Sequence, residues 1–269
     1  MSPRFVHALL FLCFTHTAIG DENSKSTVAR KPVKLPGMVI DLEQRCLDLE
    51  ARICLDNGFL ELLACSAGTK EHESVVAVSA KPMHIHTALL LLGADNGHPA
   101  MRKPVNQDKT HWIDVPPRGG RVDVFLVTET EKGNTTERPI SDFIVRARDR
   151  LKKADGKLNH SPQRRKSTSG AKQQHLSNTF LFVGSQLRNN SDGPRQYVAD
   201  VSGNVISIAT FGDEVLCLPS QQSQDNNSLI WHVKAKSLPP VGTKVTLRLR
   251  PHPHSHSKDV QPRKLPAKE

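Results

Sequence analysis

The stretch from Phe59 to Asp95, FLELLACSAGTKEHESVVAVSAKPMHIHTALLLLGAD, constrains this chain more than any other. Two apolar runs, Phe59–Ala64 and Val75–Val78, flank a polar connection that contains Gly68. A helix-length apolar run follows, opened by Pro82 and closed by Gly93. Proline suits a first helical turn and glycine a C-terminal cap, so the pattern predicts strand, loop, strand and helix. Ile85, Ala88, Leu89 and Leu92 keep the i, i+3, i+4, i+7 spacing of a core-facing stripe. Leu90 and Leu91 widen it, which predicts one main helix, about 82–92, buried on most sides.

The first twenty residues read as an export signal. Arg4 is a positive start, Phe5 to Phe14 are apolar apart from His7 and Thr15 follows, and Ala18-Ile19-Gly20 offers small residues for cleavage. The run is shorter than the ~20 apolar residues that a bilayer span needs, and no later segment is a transmembrane candidate. The expected location is outside the cytoplasm: periplasm, cell envelope or extracellular space. Of five cysteines, Cys46, Cys54, Cys65 and Cys217 would remain, and an oxidising compartment permits disulfides. Cys54 and Cys65 flank a predicted strand closely enough to be a disulfide candidate, with buried free thiols as the plainer alternative. No Cys-x-x-Cys occurs, so zinc-ribbon, thioredoxin-like and ferredoxin-type spacings are missing.

The net charge is +10. Arg146 to Lys172 holds ten Lys/Arg and two Asp, a net of +8, and Arg248 to Glu269 holds six and two, a net of +4. The remainder is therefore about −2, so the basicity lies in two segments with the composition of disorder. That distribution argues against specific nucleic-acid binding and allows weak electrostatic contact with anionic surfaces. The implied organisation is a signal peptide (1–20), a flexible leader (21–37), a folded domain (38–250) with a disordered basic insertion (150–178), and a disordered His/Lys/Arg-rich tail (251–269).

Within the domain, Leu42, Cys46 and Leu49 fall at helix-like intervals, and Asn57-Gly58 predicts a tight hairpin between Ile53 and Cys65. Pro99 to Pro117 reads as an irregular connection. Val122, Val124 and Leu126 alternate as a strand, as do Val245, Leu247 and Leu249. Strands are also expected at Thr179–Val183, Tyr197–Val201, Val205–Phe211 and Val215–Leu218. Pro116-Pro117-Arg118-Gly119 and Pro239-Pro240-Val241-Gly242 each lead into an alternating strand, which points to two pseudo-repeated β-β-α-β halves. The fold class expected is α+β with a mostly antiparallel sheet.

The run Leu60–Cys65, then Gly68-Thr69-Lys70-Glu71-His72-Glu73-Ser74, Lys81-Pro82, His86 and the Leu-rich helix is distinctive. With Phe182-Val183-Gly184-Ser185 and Leu238-Pro239-Pro240-Val241-Gly242-Thr243, it resembles the YdjY-type domain of exported bacterial proteins, especially those of planctomycetes. The resemblance covers most of Met38 to Arg250 and implies an exported domain of uncharacterised function. Relatives sometimes carry an iron–sulfur or ferredoxin-like label, which this cysteine spacing does not support. Where relatives carry Cys and Trp, this chain has Ser207 and Leu181.

Cys65, His72, Glu73 and His86 are the candidate metal ligands, a soft-to-borderline set suited to zinc or copper. Hydrogen bonding explains the same residues more plainly: neighbours on an extended loop point apart, and His86 adjoins an apolar stripe. His252, His254 and His256 form a second tract of metal-binding type, or a solvated tail. No Gly-x-Ser-x-Gly, phosphate-binding loop, Gly-x-Gly-x-x-Gly or His-Glu-x-x-His occurs. The leading expectation is a non-catalytic binding or envelope-associated module for a protein or polymer ligand, with no cofactor. The alternative is a metal-binding or redox-linked extracytoplasmic protein built on the Cys65/His72/His86 region.

Overall fold

A computed structural model describes residues 31–253, apart from 107, 130–132, 148–174, 192, 221–229 and 235. The strands are β1 (Val33–Leu35), β2 (Met38–Asp41), β3 (Cys46–Ile53), β4 (Leu62–Ser66) and β5 (Ser74–Val78), followed by helix α1 (Pro82–Leu91). Then come β6 (Met101–Pro104), β7 (Trp112–Val115), β8 (Gly120–Glu129), β9 (Thr135–Pro139), β10 (Ile144–Arg146) and β11 (Thr179–Phe182). The chain continues through β12 (Leu187–Asn190), β13 (Gly193–Tyr197), helix α2 (Val198–Ser202), β14 (Asn204–Ser207), β15 (Leu216–Cys217), β16 (Trp231–Val233) and β17 (Lys244–Pro251).

Eight strands close on themselves in the order β3-β17-β8-β11-β15-β14-β4-β5, and β5 returns to β3. The domain is therefore mostly β, a barrel with one main helix, rather than an open α+β sheet. Six of its joins are antiparallel; β4–β5 and β14–β15 are parallel. Closure removes the free edges that an open sheet would present. Alternation fills the interior: Leu47, Leu49, Val124, Leu126, Phe180, Phe182, Leu247 and Leu249 are all fully buried. These side chains pack the barrel interior. On its outer face Arg248 grips Asp48 with two hydrogen bonds, 2.6 and 2.7 Å, and reaches Glu137 at 2.7 Å, tying β3, β17 and β9 together.

Several expectations give way to long-range pairing. The helix-like spacing before Ile53 is overridden by a period-2 pattern, because Leu47, Leu49, Ala51 and Ile53 face inward from β3. β3 and β4 do not form a hairpin: both flank β5, and Gly58 takes φ +144 in a wider connection. The first core strand starts at Leu62 rather than Phe59, which instead bridges to His232. The segment from Pro99 to Pro117 contains the β6–β7 ribbon. Tyr197–Val201 is not a strand. It enters α2, which ends at Gly203 with φ +77. β1 lies inside the stretch expected as a flexible leader, paired to β2.

Helix α1 has its expected limits, with Lys81 as N-cap, Leu92 as C-cap and Gly93 at φ +80. Ile85, Ala88, Leu89 and Leu92 are buried, but Leu90 and Leu91 are 46% and 63% exposed, so the helix buries one stripe only. The signal at 1–20, residues 150–174 of the insertion and 254–269 of the tail fall outside the described residues. Leu176, near the end of the insertion, is buried, and Asn178 accepts the Ile140 N–H through Oδ1 at 3.0 Å. The Pro-Pro-led strands β8 and β17 lie side by side. α1 has no counterpart after β15 among the described residues, so the β-β-α-β halves are not matched in their helices. No helix among these residues is long and apolar enough to cross a membrane.

Candidate functional site

β4 and β5 run parallel as direct neighbours, so the chain must climb back between them. Parallel neighbours are ordinarily joined by a dozen or more residues; here the connection is 67–73, ending in the 3₁₀ turn Glu71–Glu73. So short a crossover has to be held by side chains. Glu71 does this at one end, accepting the Gly68 N–H at 2.8 Å and the Arg52 guanidinium at 2.6 Å through the same oxygen. Thr69 Oγ1 donates to Ser66 O at 2.6 Å, and Ser74 Oγ donates to Lys70 O at 2.7 Å. The Lys70 ammonium sits 3.9 Å above the Phe211 ring. Thr69 is seated on Gly203, where a Cβ would lie 2.3 Å from Thr69 Oγ1.

Two ionisable features sit against this crossover. Glu61 donates its backbone N–H to Glu73 O at 3.1 Å, and burial first, then the Glu73 charge, raises its carboxyl above the usual carboxylate range. Cys65, on β4, is fully buried, and Cys54, just beyond β3, is half-buried. The Cys54 thiol donates to Ser74 O at 3.2 Å. Both cysteines are free thiols.

The four candidate metal ligands are not brought together. The His72 side chain is 79% exposed, with Nε2 3.7 Å from Glu73 Oε2. His86 faces another neighbourhood: Nδ1 lies 2.9 Å from the Tyr197 hydroxyl and 3.1 Å from Gly184 O. Its ring packs edge-on against Phe182 and Tyr197. Burial lowers its pKa. Among the described residues no three His, Cys, Asp or Glu side chains converge as a metal group. His252 Nε2 lies 2.9 Å from Asp123 Oδ2; His254 and His256 fall outside the described residues.

Sequence reasoning missed Tyr197, Glu61 and Arg52. Tyr197 is the chain's single tyrosine, a compositional signal that could have marked it. Arg52 also walls an external cleft of about 570 Å³ at the end of the barrel, formed by β3, β5, β8, β9 and β17. Glu50, Arg52, Glu129 and Lys244 supply charges of both signs there, and Thr128 and Thr246 supply hydroxyls.

A family model described as the YdjY domain matches residues 38–250. Neither the curated proteins nor the solved structures contain a match to this chain.

Proposed function

This chain belongs to the YdjY domain family, and on that premise we propose that it is a non-catalytic binding module acting outside the cytoplasm, in the envelope or beyond it. The observation that carries this reading is the filled barrel. With Phe180, Phe182 and the alternating leucines packed inside, a ligand has to be met on the surface. The cleft beside Arg52 and Lys244 offers alternating charge and hydroxyls without an aromatic platform. Such a wall suits an extended polar segment of protein or polymer better than a stacked base or sugar. The Phe5–Phe14 run and the polar, basic flanks support export. The Pro-Pro echo supports a further reading of the barrel as two related halves, β3-β4-β5-β8 and β11-β14-β15-β17, each with one parallel pair.

Isotope-labelled protein titrated with fractionated envelope polymers and peptides tests the assignment. Amide shifts centred on Arg52, Lys244 and Thr246, lost in an Arg52→Ala/Lys244→Ala variant, are expected. Shifts confined to another face, or none with any fraction, would overturn it.

A further inference from the structure

Residues 97–119 leave the barrel and return to it as one antiparallel ribbon. Its root is clamped: the Gly97 N–H donates to Phe182 O at 3.0 Å, and His98 and Arg118 exchange backbone hydrogen bonds at 2.8 and 3.0 Å. A Cβ on Gly119 would lie 2.0 Å from Phe182 O, so only glycine lets the ribbon sit this close to β11. Further out, β6 pairs with β7 from Met101↔Val115 to Pro104↔Trp112, and the two form a sheet of their own. Side chains close the turn beyond. Asn106 Oδ1 accepts the His111 N–H at 3.1 Å, and Asp108 Oδ1 accepts the Thr110 N–H at 3.2 Å.

A two-stranded ribbon standing alone is marginal in water, yet this one leaves apolar side chains uncovered. Val105, Trp112 and Ile113 are 63%, 44% and 54% exposed. Alternation puts Val105 and Ile113 on one face and Trp112 with Pro104 on the other. A protein seated on either face would leave the second one wet, whereas a medium that surrounds the ribbon covers both. Between Met101 and Val115, Arg102, Lys103 and Lys109 outnumber Asp108 and Asp114. Arg102 is paired with Asp114 at 3.4 Å, and neither lysine has a carboxylate partner among the described residues. Trp112 commits its Nε1–H to Lys109 O at 2.9 Å, so its ring carries no unsatisfied donor into an apolar layer.

We propose that the β6–β7 ribbon is a docking arm for an anionic phospholipid bilayer. Val105, Trp112 and Ile113 enter the headgroup layer, and Lys103 and Lys109 meet the lipid phosphates. The outer edges of β6 and β7 have no partner strand among the described residues. Unpaired backbone groups are too costly in hydrocarbon, so the ribbon stops in the hydrated interface. The assignment does not depend on what the cleft beside Arg52 binds.

The full chain carries its own reporter, because its second tryptophan, Trp231, is buried. Vesicles of phosphatidylglycerol and phosphatidylcholine, with and without brominated acyl chains, are added while tryptophan emission is recorded, and binding is measured by flotation. The expected result is a blue-shifted emission that brominated lipid quenches. Trp112→Phe should keep the binding and lose the quenching. Val105→Ser/Ile113→Ser should weaken binding at least about tenfold, with circular dichroism matching the wild type. Binding without quenching, and equally strong in the double variant, would place the contact in the basic segments and overturn the proposal. So would a chain that ignores the vesicles, or self-association that the double variant abolishes, which would give the ribbon to a second copy instead.

Discussion

His86 and Tyr197 share one acceptor. The Tyr197 hydroxyl donates to Gly184 O at 3.0 Å, and His86 Nδ1 lies 2.9 Å from that hydroxyl and 3.1 Å from the same carbonyl. With the tyrosine proton committed, both oxygens can only accept from the ring, so Nδ1 carries the hydrogen. Gly184, at φ +76, has no room for a Cβ, which would meet Asn96 and His86. The Phe-x-Gly-Ser motif is thus the seat of helix α1.

His86→Ala removes part-buried hydrogen bonds and two edge-on ring contacts, and should cost about 2 kcal/mol in denaturant unfolding. Because burial lowers the folded pKa of His86, its stability contribution is complete above the ordinary histidine value. That contribution is lost as pH falls through the ordinary value toward the lowered one. The alanine variant should lose that slope; an unchanged pH profile would remove His86 as its source.

Glu214 is fully buried, with Oε2 accepting the Gly212 and Asp213 N–H groups at 2.7 and 3.0 Å and Oε1 without a partner among the described residues. Burial raises its pKa. A raised carboxyl stabilises below the ordinary carboxylate value, and that stability is lost as pH rises through the folded value. Glu214→Gln keeps an acceptor and never ionises. In denaturant unfolding it should exceed the wild type in stability as pH rises past the ordinary carboxylate value, and converge with it in acid. A variant less stable than wild type throughout would contradict this account.

Gly203→Ala places a Cβ in the left-handed region and 2.3 Å from Thr69 Oγ1. The expected loss is about 2–4 kcal/mol. Adding Thr69→Ala should recover part of it, a non-additivity read from a double-mutant cycle. Simple additivity would mean that the two residues do not press on each other.

Along α1, Leu89→Ala should cost about 3 kcal/mol and Leu91→Ser less than about 0.5 kcal/mol. The contrast follows from complete burial of one side chain and 63% exposure of the other. Equal losses would mean that the exposed leucine is covered in solution.

The legible parts of the fold were local ones. Pro82 and Gly93 delimited α1, and alternation marked β8 and β17, because those signals are written within a few residues. Barrel closure was not legible, since β17 pairs with β3 across nearly the whole domain and no local pattern encodes that partner. The Asn57-Gly58 turn misled for the same reason: β5 separates the strands it was expected to join. At the site, the Gly68–Ser74 run is visible as unusual chemistry, whereas the sequence spacing that made Cys54 and Cys65 a disulfide candidate hides the strand β5 between them, and both are free thiols. His86 was grouped with Cys65 by closeness in sequence, whereas the fold turns it toward Tyr197, more than a hundred residues away.

β17 is the last barrel strand to be made, yet it fills the gap between β3 and β8. Until it emerges, those two strands keep unpaired edges, and the apolar face prepared for Val245, Leu247 and Leu249 stays uncovered. Folding therefore waits on the end of the domain and closes a long loop when it comes, which makes it slow. A chain that cannot close before its final strand appears stays threadable throughout synthesis. Shortening it by that one strand should yield an aggregation-prone product rather than a smaller stable domain.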